Sequence, residues 1–159
     1  MKTLIVYYSL EGFTRKWAEK ITEQAGCDLL ELRTVKDYPT TGAKKFIWGG
    51  KSAVMGEKPK LQPYAFDPEE YERIILAYPV WASRFAPPVR SFIEENAEAL
   101  RTKKIGAIAT FKGSGAEKSI KQLSKLLGTE PDPQLILTDL EEKAEENEKS
   151  ARAFAELLS

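Results

Sequence analysis

Residues 9–14 read Ser9-Leu10-Glu11-Gly12-Phe13-Thr14, and they lie between an apolar run and an amphipathic segment. The run before them, Leu4-Ile5-Val6-Tyr7-Tyr8, is rich in β-branched and aromatic residues and predicts a buried strand. Beyond the turn, Phe13, Trp17 and Ile21 recur every four residues and predict a helix with one buried face. The chain therefore turns sharply from a strand into a helix, which is the repeating step of an α/β fold.

The composition of this turn suits a phosphate group. The first N–H groups of a helix have no partner within the helix, and the helix dipole makes that end partly positive. Ser9 and Thr14 add hydroxyl donors, and Gly12 lets the backbone come close to a bound oxyanion. The same residues would also form an ordinary turn with a Ser or Thr cap, so the turn alone leaves both interpretations open.

The overall composition limits the class of protein. The 159 residues are expected to form a single domain over residues 1–159, and equal numbers of basic and acidic residues (24 each) argue against a nucleic-acid partner. No apolar run approaches the ~20 residues of a membrane span, and the first residues lack a secretory signal pattern, so we expect no membrane partner. One cysteine, Cys27, fits a reducing compartment, and a cytoplasmic protein is expected.

The absence of histidine restricts the possible chemistry. With no histidine and one cysteine, the sequence has few ligands for zinc or a transition metal, and we predict no metal site. Ser-His-Asp and Cys-His catalysis are excluded for the same reason. We therefore predict no catalytic side chain and expect any chemistry to come from a bound cofactor.

Strands and helices alternate five times along the chain. Leu30 and Leu32 alternate with charged residues and predict a half-exposed edge strand, whereas residues 73–78 form the continuous apolar run of a central parallel strand. Further strands are predicted over residues 104–111 and 135–137. The last helix is predicted to place on one side Leu140, Ala144, Ala151, Phe154 and Leu158. Right-handed crossovers then give an α/β fold with three layers, a doubly wound five-stranded parallel sheet.

Three loops are expected at one edge of this sheet. Open parallel sheets bind ligands at the carboxyl ends of their strands, where the winding direction reverses. The loops over residues 9–14, 79–86 and 110–115 all follow such ends. The first has phosphate chemistry, the second carries Trp81, and the third is short, glycine-rich and hydroxyl-bearing. Together they predict a mononucleotide-like ligand with a planar heterocycle.

Each of the three loops lies in a longer motif: Y-S-x-x-G-x-T-R-K-x-A-E-K-I from Tyr8, Y-P-V-W-A-x-x-x-A-P-P-V-R-S-F-I-E from Tyr78, and A-T-F-K-G-S-G from Ala109. These motifs resemble those of the flavodoxin family. The similarity keeps the same order over nearly the full chain. It implies a flavodoxin-like strand order, 2-1-3-4-5, with FMN bound at the switch point.

The resemblance also implies which residues bind FMN. Those of the phosphate loop are Ser9, Leu10, Glu11, Gly12, Phe13 and Thr14. Of these, Ser9, Gly12 and Thr14 would hold the phosphate through hydroxyl and backbone N–H groups, and the others would contribute backbone at most. Those beside the flavin ring are Pro79, Val80, Trp81, Ala82, Thr110, Phe111, Gly113 and Ser114. Two alternatives stay open: Trp81 packs on the helix that Pro87-Pro88 begins, and Thr110 and Phe111 merely end a strand.

The sequence departs from the family pattern in two places. Many flavodoxins have a hydroxyl residue where Glu11 stands, and an inward carboxylate would repel a phosphate, so Glu11 is expected to face solvent. Glycine is frequent in the family near Ala82-Ser83, where a peptide flip accompanies reduction of the flavin. Without glycine, a carbonyl that turns toward the flavin meets more steric resistance. Arg84 is either a surface cation or a charge that favours anionic reduced flavin.

Three functions agree with these observations. The first is an FMN-binding electron carrier that serves redox partner proteins. The second is an FMN-dependent oxidoreductase that uses NAD(P)H and a quinone, with Tyr38, Phe46 and Trp48 of the long segment 36–66 lining space above the flavin. The third is a flavodoxin-fold binding module without a cofactor, which the carboxylate of Glu11 would favour.

Overall fold

The computed structural model describes residues 1–36, 38 and 58–159. Its parallel strands are β1 (Thr3–Tyr7), β2 (Asp28–Glu31), β3 (Arg73–Trp81), β5 (Lys104–Phe111) and β6 (Gln134–Thr138). They are hydrogen-bonded in the order β2-β1-β3-β5-β6. Because β5 and β6 are the fourth and fifth strands predicted from the sequence, this order confirms the predicted 2-1-3-4-5 arrangement.

A sixth, short strand was not predicted. Strand β4 (Arg84–Phe85) folds back on the end of β3, where Val80 pairs with Phe85 and Trp81 pairs with Arg84 in antiparallel register. In the described part of the chain the sheet therefore has six strands, five of them parallel. The hairpin forms because Ala82 and Ser83 make a two-residue turn of the kind that joins adjacent antiparallel strands.

Five α-helices cover the sheet in the described residues. They are α1 (Phe13–Ala25), α2 (Pro87–Glu95), α3 (Ala97–Leu100), α4 (Ala116–Leu127) and α5 (Ala144–Leu158). Short 3₁₀ turns span Pro68–Glu70 and Glu141–Lys143. The proline pair at the start of α2 confirms the predicted helix start, since proline lacks only an N–H that would be unpaired there.

The start of the last helix was predicted too early. Leu140 and Ala144 are exposed rather than part of its buried face. The 3₁₀ turn Glu141–Lys143 separates Leu140 from α5, so the helical spacing that linked Leu140 to the later apolar residues does not apply. The other predicted residues of this face, Ala151, Phe154 and Leu158, are buried.

Two apolar cores lie on opposite faces of the sheet. In β3, Ile74 and Leu76 pack in the core that includes α2 and α4, whereas Ile75 and Ala77 pack in the core that includes α1 and α5. Successive side chains of a strand point to opposite faces, so a strand covered on both sides reads as a continuous apolar run. The three-layer, doubly wound arrangement is thereby confirmed.

The topology places the predicted loops together. Strand β1 connects to β2 on one side of the sheet, and β3 connects to β5 on the other, so the winding direction reverses between β1 and β3. Neighbouring loops leave the carboxyl ends of these strands and open a crevice there. In the described part of the chain, no helix combines the length and apolar character that a membrane crossing requires.

Candidate functional site

A cavity of about 730 Å³ lies at the carboxyl edge of the sheet. All fourteen residues that the sequence predicted line it: Ser9, Leu10, Glu11, Gly12, Phe13, Thr14, Pro79, Val80, Trp81, Ala82, Thr110, Phe111, Gly113 and Ser114. The remaining lining residues, which were not predicted, are Lys16, Ser83, Lys112 and Asp139. A smaller cavity of about 380 Å³ lies elsewhere, against Leu4, Phe66 and Tyr71, and contains none of the predicted residues.

The start of α1 presents hydrogen-bond donors to the cavity. Gly12 is the N-cap residue with φ of 102°, a conformation that L side chains rarely adopt, and no side chain among the described residues caps this end of the helix. Ser9 Oγ accepts a hydrogen bond from the Gly12 N–H at 3.1 Å, which leaves the hydroxyl proton of Ser9 available to a ligand. The first-turn N–H groups and this hydroxyl form a donor set suited to an oxyanion.

Thr14 also ties the start of α1 to the neighbouring strands. Its hydroxyl lies 2.8 Å from that of Thr110, and Thr110 Oγ1 donates to the carbonyl oxygen of Tyr78 at 3.3 Å. Because a carbonyl oxygen can only accept, the Thr110 hydroxyl uses its one proton in the hydrogen bond to Tyr78. The Thr14 hydroxyl must then be the donor to Thr110. The hydroxyl proton of Thr14 is therefore used within the protein, and its backbone N–H belongs to the first turn of α1.

Trp81 lines the ring-side wall of the cavity between two tyrosines. Its ring stands edge-to-face against Tyr8, with centroids 5.9 Å apart, and against Tyr38 at 5.1 Å. Such contacts fix the orientation of a large, partly buried ring and leave apolar surface toward the cavity. Tyr38 thus lies beside the cavity's aromatic wall, while Phe46 and Trp48 fall outside the described residues.

The turn after Trp81 has an unusual backbone. Ala82 and Ser83 have φ of 52° and 62°, a region in which glycine is normally found. Ser83 also packs closely on Gly115, where a Cβ atom would lie 2.7 Å from the Ser83 Cα. The hairpin is therefore held against the 110–115 loop, although Ala82-Ser83 lacks the glycine that is frequent at this position in the family that the sequence resembles. Arg84 does not line the cavity, which favours its interpretation as a surface cation.

One lysine connects the acidic groups at the cavity mouth. Lys112 Nζ lies 3.4 Å from Glu11 Oε2 and 3.6 Å from Asp139 Oδ2. Glu11 is exposed, as expected, but its carboxylate is paired with Lys112 and lines the cavity. The sequence analysis missed Lys112 and Asp139, although a signal for each was present: Lys112 lies inside A-T-F-K-G-S-G, and Asp139 follows the carboxyl end of β6, the fifth predicted strand.

A polar network behind the turn anchors α1 to the sheet. Tyr7 donates to Glu31 at 3.0 Å, and Arg15, in the first turns of α1, hydrogen-bonds to both Tyr7 and Glu31. Arg33 also donates to Glu31, at 2.6 Å. Burial acts to raise the pKa of Glu31, but the hydrogen bonds from Arg15, Arg33 and Tyr7 outweigh it and lower this pKa below its ordinary value. The charged carboxylate thus fixes the end of the helix that faces the cavity.

Solved structures with the same fold include several flavoproteins. A flavoprotein in complex with FMN from Lactobacillus acidophilus NCFM is 23% identical over 86% of this chain and 90% of its own, with a TM-score of 0.70. A flavoprotein described as putative from Bacteroides uniformis ATCC 8492 is 20% identical over 98% and 97%, with a TM-score of 0.76. An NADPH-quinone reductase from P. pentosaceus is 14% identical over 100% and 98%, with a TM-score of 0.61.

Comparison with curated proteins gives no significant match. A family model described as flavodoxin, in contrast, matches residues 2–139, which include β1, the whole cavity lining and the end of β6. This range covers most of the chain and every element that builds the site. The chain belongs to the flavodoxin family.

Proposed function

We propose that this chain is an FMN-binding, flavodoxin-like electron carrier for redox partner proteins. One observation carries the proposal: a single cavity joins an uncapped helix start, a half-buried tryptophan and a glycine-rich loop. Membership of the flavodoxin family supports it, and so does the FMN complex of the similar flavoprotein from L. acidophilus.

The chemistry of the cavity fits FMN. At one end, the Ser9 hydroxyl and the first-turn N–H groups of α1 are donors that suit a phosphate monoester. On another wall, Trp81 offers a flat apolar surface that Tyr8 and Tyr38 hold in place, which suits an isoalloxazine ring. The volume of about 730 Å³ falls within the ~300–1,000 Å³ of typical cofactor sites. Bound FMN would supply one- and two-electron transfer, while the protein binds and orients it.

A second candidate is an NAD(P)H:quinone oxidoreductase that uses the same cofactor. Tyr38 favours it, because this residue of the long segment 36–66 lies against Trp81, beside the wall where a second substrate would bind. The NADPH-quinone reductase from P. pentosaceus shares the fold. At 14% identity this likeness supports the architecture, and activity has to be measured.

One experiment separates the two functions. The protein is loaded with FMN, reduced photochemically without oxygen, and mixed with oxidised cytochrome c as an artificial acceptor. A carrier reduces the cytochrome stoichiometrically and does not consume NAD(P)H when a quinone is added. Sustained NAD(P)H oxidation above that of free FMN would establish the oxidoreductase instead, and failure to retain FMN would contradict both.

A further inference from the structure

The Glu11–Lys112–Asp139 bridge spans three separate parts of the cavity rim. Glu11 belongs to the turn before α1, Lys112 follows β5, and Asp139 follows β6. Lys112 Nζ lies between the two carboxylates, 3.4 Å and 3.6 Å away. The backbone reinforces the arrangement, because the N–H of Asp139 donates to the carbonyl of Phe111, next to Lys112, at 2.9 Å.

The bridge reduces the repulsion between Glu11 and a bound phosphate. Glu11 places a carboxylate directly before the helix start, where the proposed phosphate would be held, and two anions close together repel, more strongly where water is displaced. Lys112 opposes that repulsion with a positive charge within ion-pair distance of Glu11. The side chains of Lys112, Glu11 and Asp139 are 58%, 37% and 39% exposed, so the bridge contributes little to folding stability itself.

We infer that Lys112 is a specificity-determining residue: through its pairing with Glu11 it allows the 9–14 turn to accept a phosphorylated flavin. This inference rests on the proposed function. Lys112 acts through Glu11, so it is a positioning residue, and Asp139 keeps its ammonium at the rim. Loss of the Lys112 charge strengthens the net repulsion between Glu11 and the phosphate and so weakens FMN binding, but it leaves riboflavin, which has the same ring and no phosphate, unaffected.

Two ligands with the same ring test this directly. Binding of FMN and of riboflavin is measured by fluorescence quenching. In Lys112→Ala, the Kd for FMN rises about tenfold, while the Kd for riboflavin stays within about twofold. Lys112→Arg keeps the charge and binds FMN nearly as tightly as the unaltered protein. In the double variant Lys112→Ala/Glu11→Gln, the Kd for FMN returns to within about threefold of the original value, because the repelling carboxylate is gone.

A matched control removes the same charge elsewhere. Lys118 is exposed on α4 and does not line the cavity, so Lys118→Ala leaves the ratio of the two dissociation constants unchanged. Added salt should shrink the effect of Lys112→Ala, since the bridge is partly exposed. Thermal unfolding of each variant verifies that it is folded.

The possible outcomes distinguish the inference from the proposed function. If the unaltered protein binds FMN but Lys112→Ala leaves the ratio of the FMN and riboflavin dissociation constants unchanged, or Glu11→Gln brings no rescue, the role of Lys112 is overturned and the proposed function stands. If the unaltered protein binds neither flavin, the proposed function is overturned, and the role of Lys112 falls with it.

Discussion

The hydroxyl of Thr14 donates a hydrogen bond to the hydroxyl of Thr110, 2.8 Å away and 96 residues further along the chain. Both residues are only 2% exposed. The Thr110 hydroxyl in turn donates to the carbonyl oxygen of Tyr78, at the end of the buried part of β3. The start of α1 is thus joined from inside to the ends of β5 and β3, which holds it relative to the ring-side loops.

Removing the Thr110 hydroxyl should destabilise the protein. In Thr110→Val, the buried hydroxyl of Thr14 loses its acceptor, and the free energy of unfolding should fall by about 1–3 kcal/mol. The double variant Thr14→Val/Thr110→Val removes both partners and should cost less than the sum of the single changes. Chemical denaturation measures these values. Thr102→Val, at an exposed hydroxyl, is the control and should change stability by less than about 0.5 kcal/mol; an equally small effect of Thr110→Val would contradict the prediction.

The contact between Ser83 and Gly115 predicts a difference between the two glycines that flank α4, Gly115 and Gly128. In Gly115→Ala the new Cβ would meet Ser83 Cα at 2.7 Å and Ser83 Cβ at 2.8 Å, at a residue whose φ is 95°. The hairpin must then move, so flavin titration should show weaker binding of FMN and riboflavin alike. Gly128→Ala is the matched control: Gly128 also has a positive φ, of 77°, but it lies at the far end of α4, and no atom of the described residues lies within 4 Å of its Cβ position. Equal binding by the two variants would show that the hairpin contact does not shape the cavity.

The hairpin turn should be more stable with glycine. Ser83 has φ of 62°, a conformation that costs an L-residue roughly 1 kcal/mol relative to glycine. Ser83→Gly should therefore raise the free energy of unfolding by up to about 1 kcal/mol, measured by chemical denaturation. Ala86→Gly, nearby but with φ of −60°, should lower it, since glycine there adds freedom to the unfolded chain and removes a buried methyl group. Loss of stability in Ser83→Gly would mean that contacts of the Ser83 side chain outweigh the backbone strain.

The network around Glu31 predicts a pH-dependent contribution to stability. The folded-state pKa of Glu31 is lowered, so its carboxylate stabilises the fold at pH above its unfolded-state pKa, and this stabilisation is lost as the pH falls through the folded-state value. Glu31→Gln should lower the free energy of unfolding by about 0.5–1 kcal/mol at neutral pH, and the difference should vanish in acid. Glu23→Gln, at an exposed glutamate of α1, should have no such effect. A constant difference at all pH values would rule out the charge of Glu31 as the cause.

Much of the fold was predictable because the helices and central strands carry strong patterns. Trp17 and Ile21 are four residues apart because α1 is buried on one face. The apolar run of β3 is unbroken because this strand is buried on both faces. The β4 hairpin carried no such signal, since Ala82-Ser83 lacks the Asn or Gly that marks a two-residue turn. Leu140 was misplaced because helical spacing does not reveal where a 3₁₀ turn interrupts it.

The candidate site was predictable as a set of loops but less so in its contacts. Loop positions follow from topology, and the cavity gathers all fourteen predicted residues. The internal use of the Thr14 hydroxyl depends on Thr110, which is remote in sequence. Lys112 and Asp139 were missed for a related reason: each looks like an ordinary surface charge until the sheet brings them to within 3.6 Å of each other.

The visible absorption spectrum of freshly purified protein, before and after addition of FMN, tests the central claim most directly. We predict flavin absorption bands nearly stoichiometric with protein, either as purified or after FMN is added and the excess removed. Their loss in Trp81→Ala would place the flavin in the cavity described above. Absence of the bands, together with unquenched FMN fluorescence on titration, would contradict FMN binding and favour a flavodoxin-fold binding module without a cofactor.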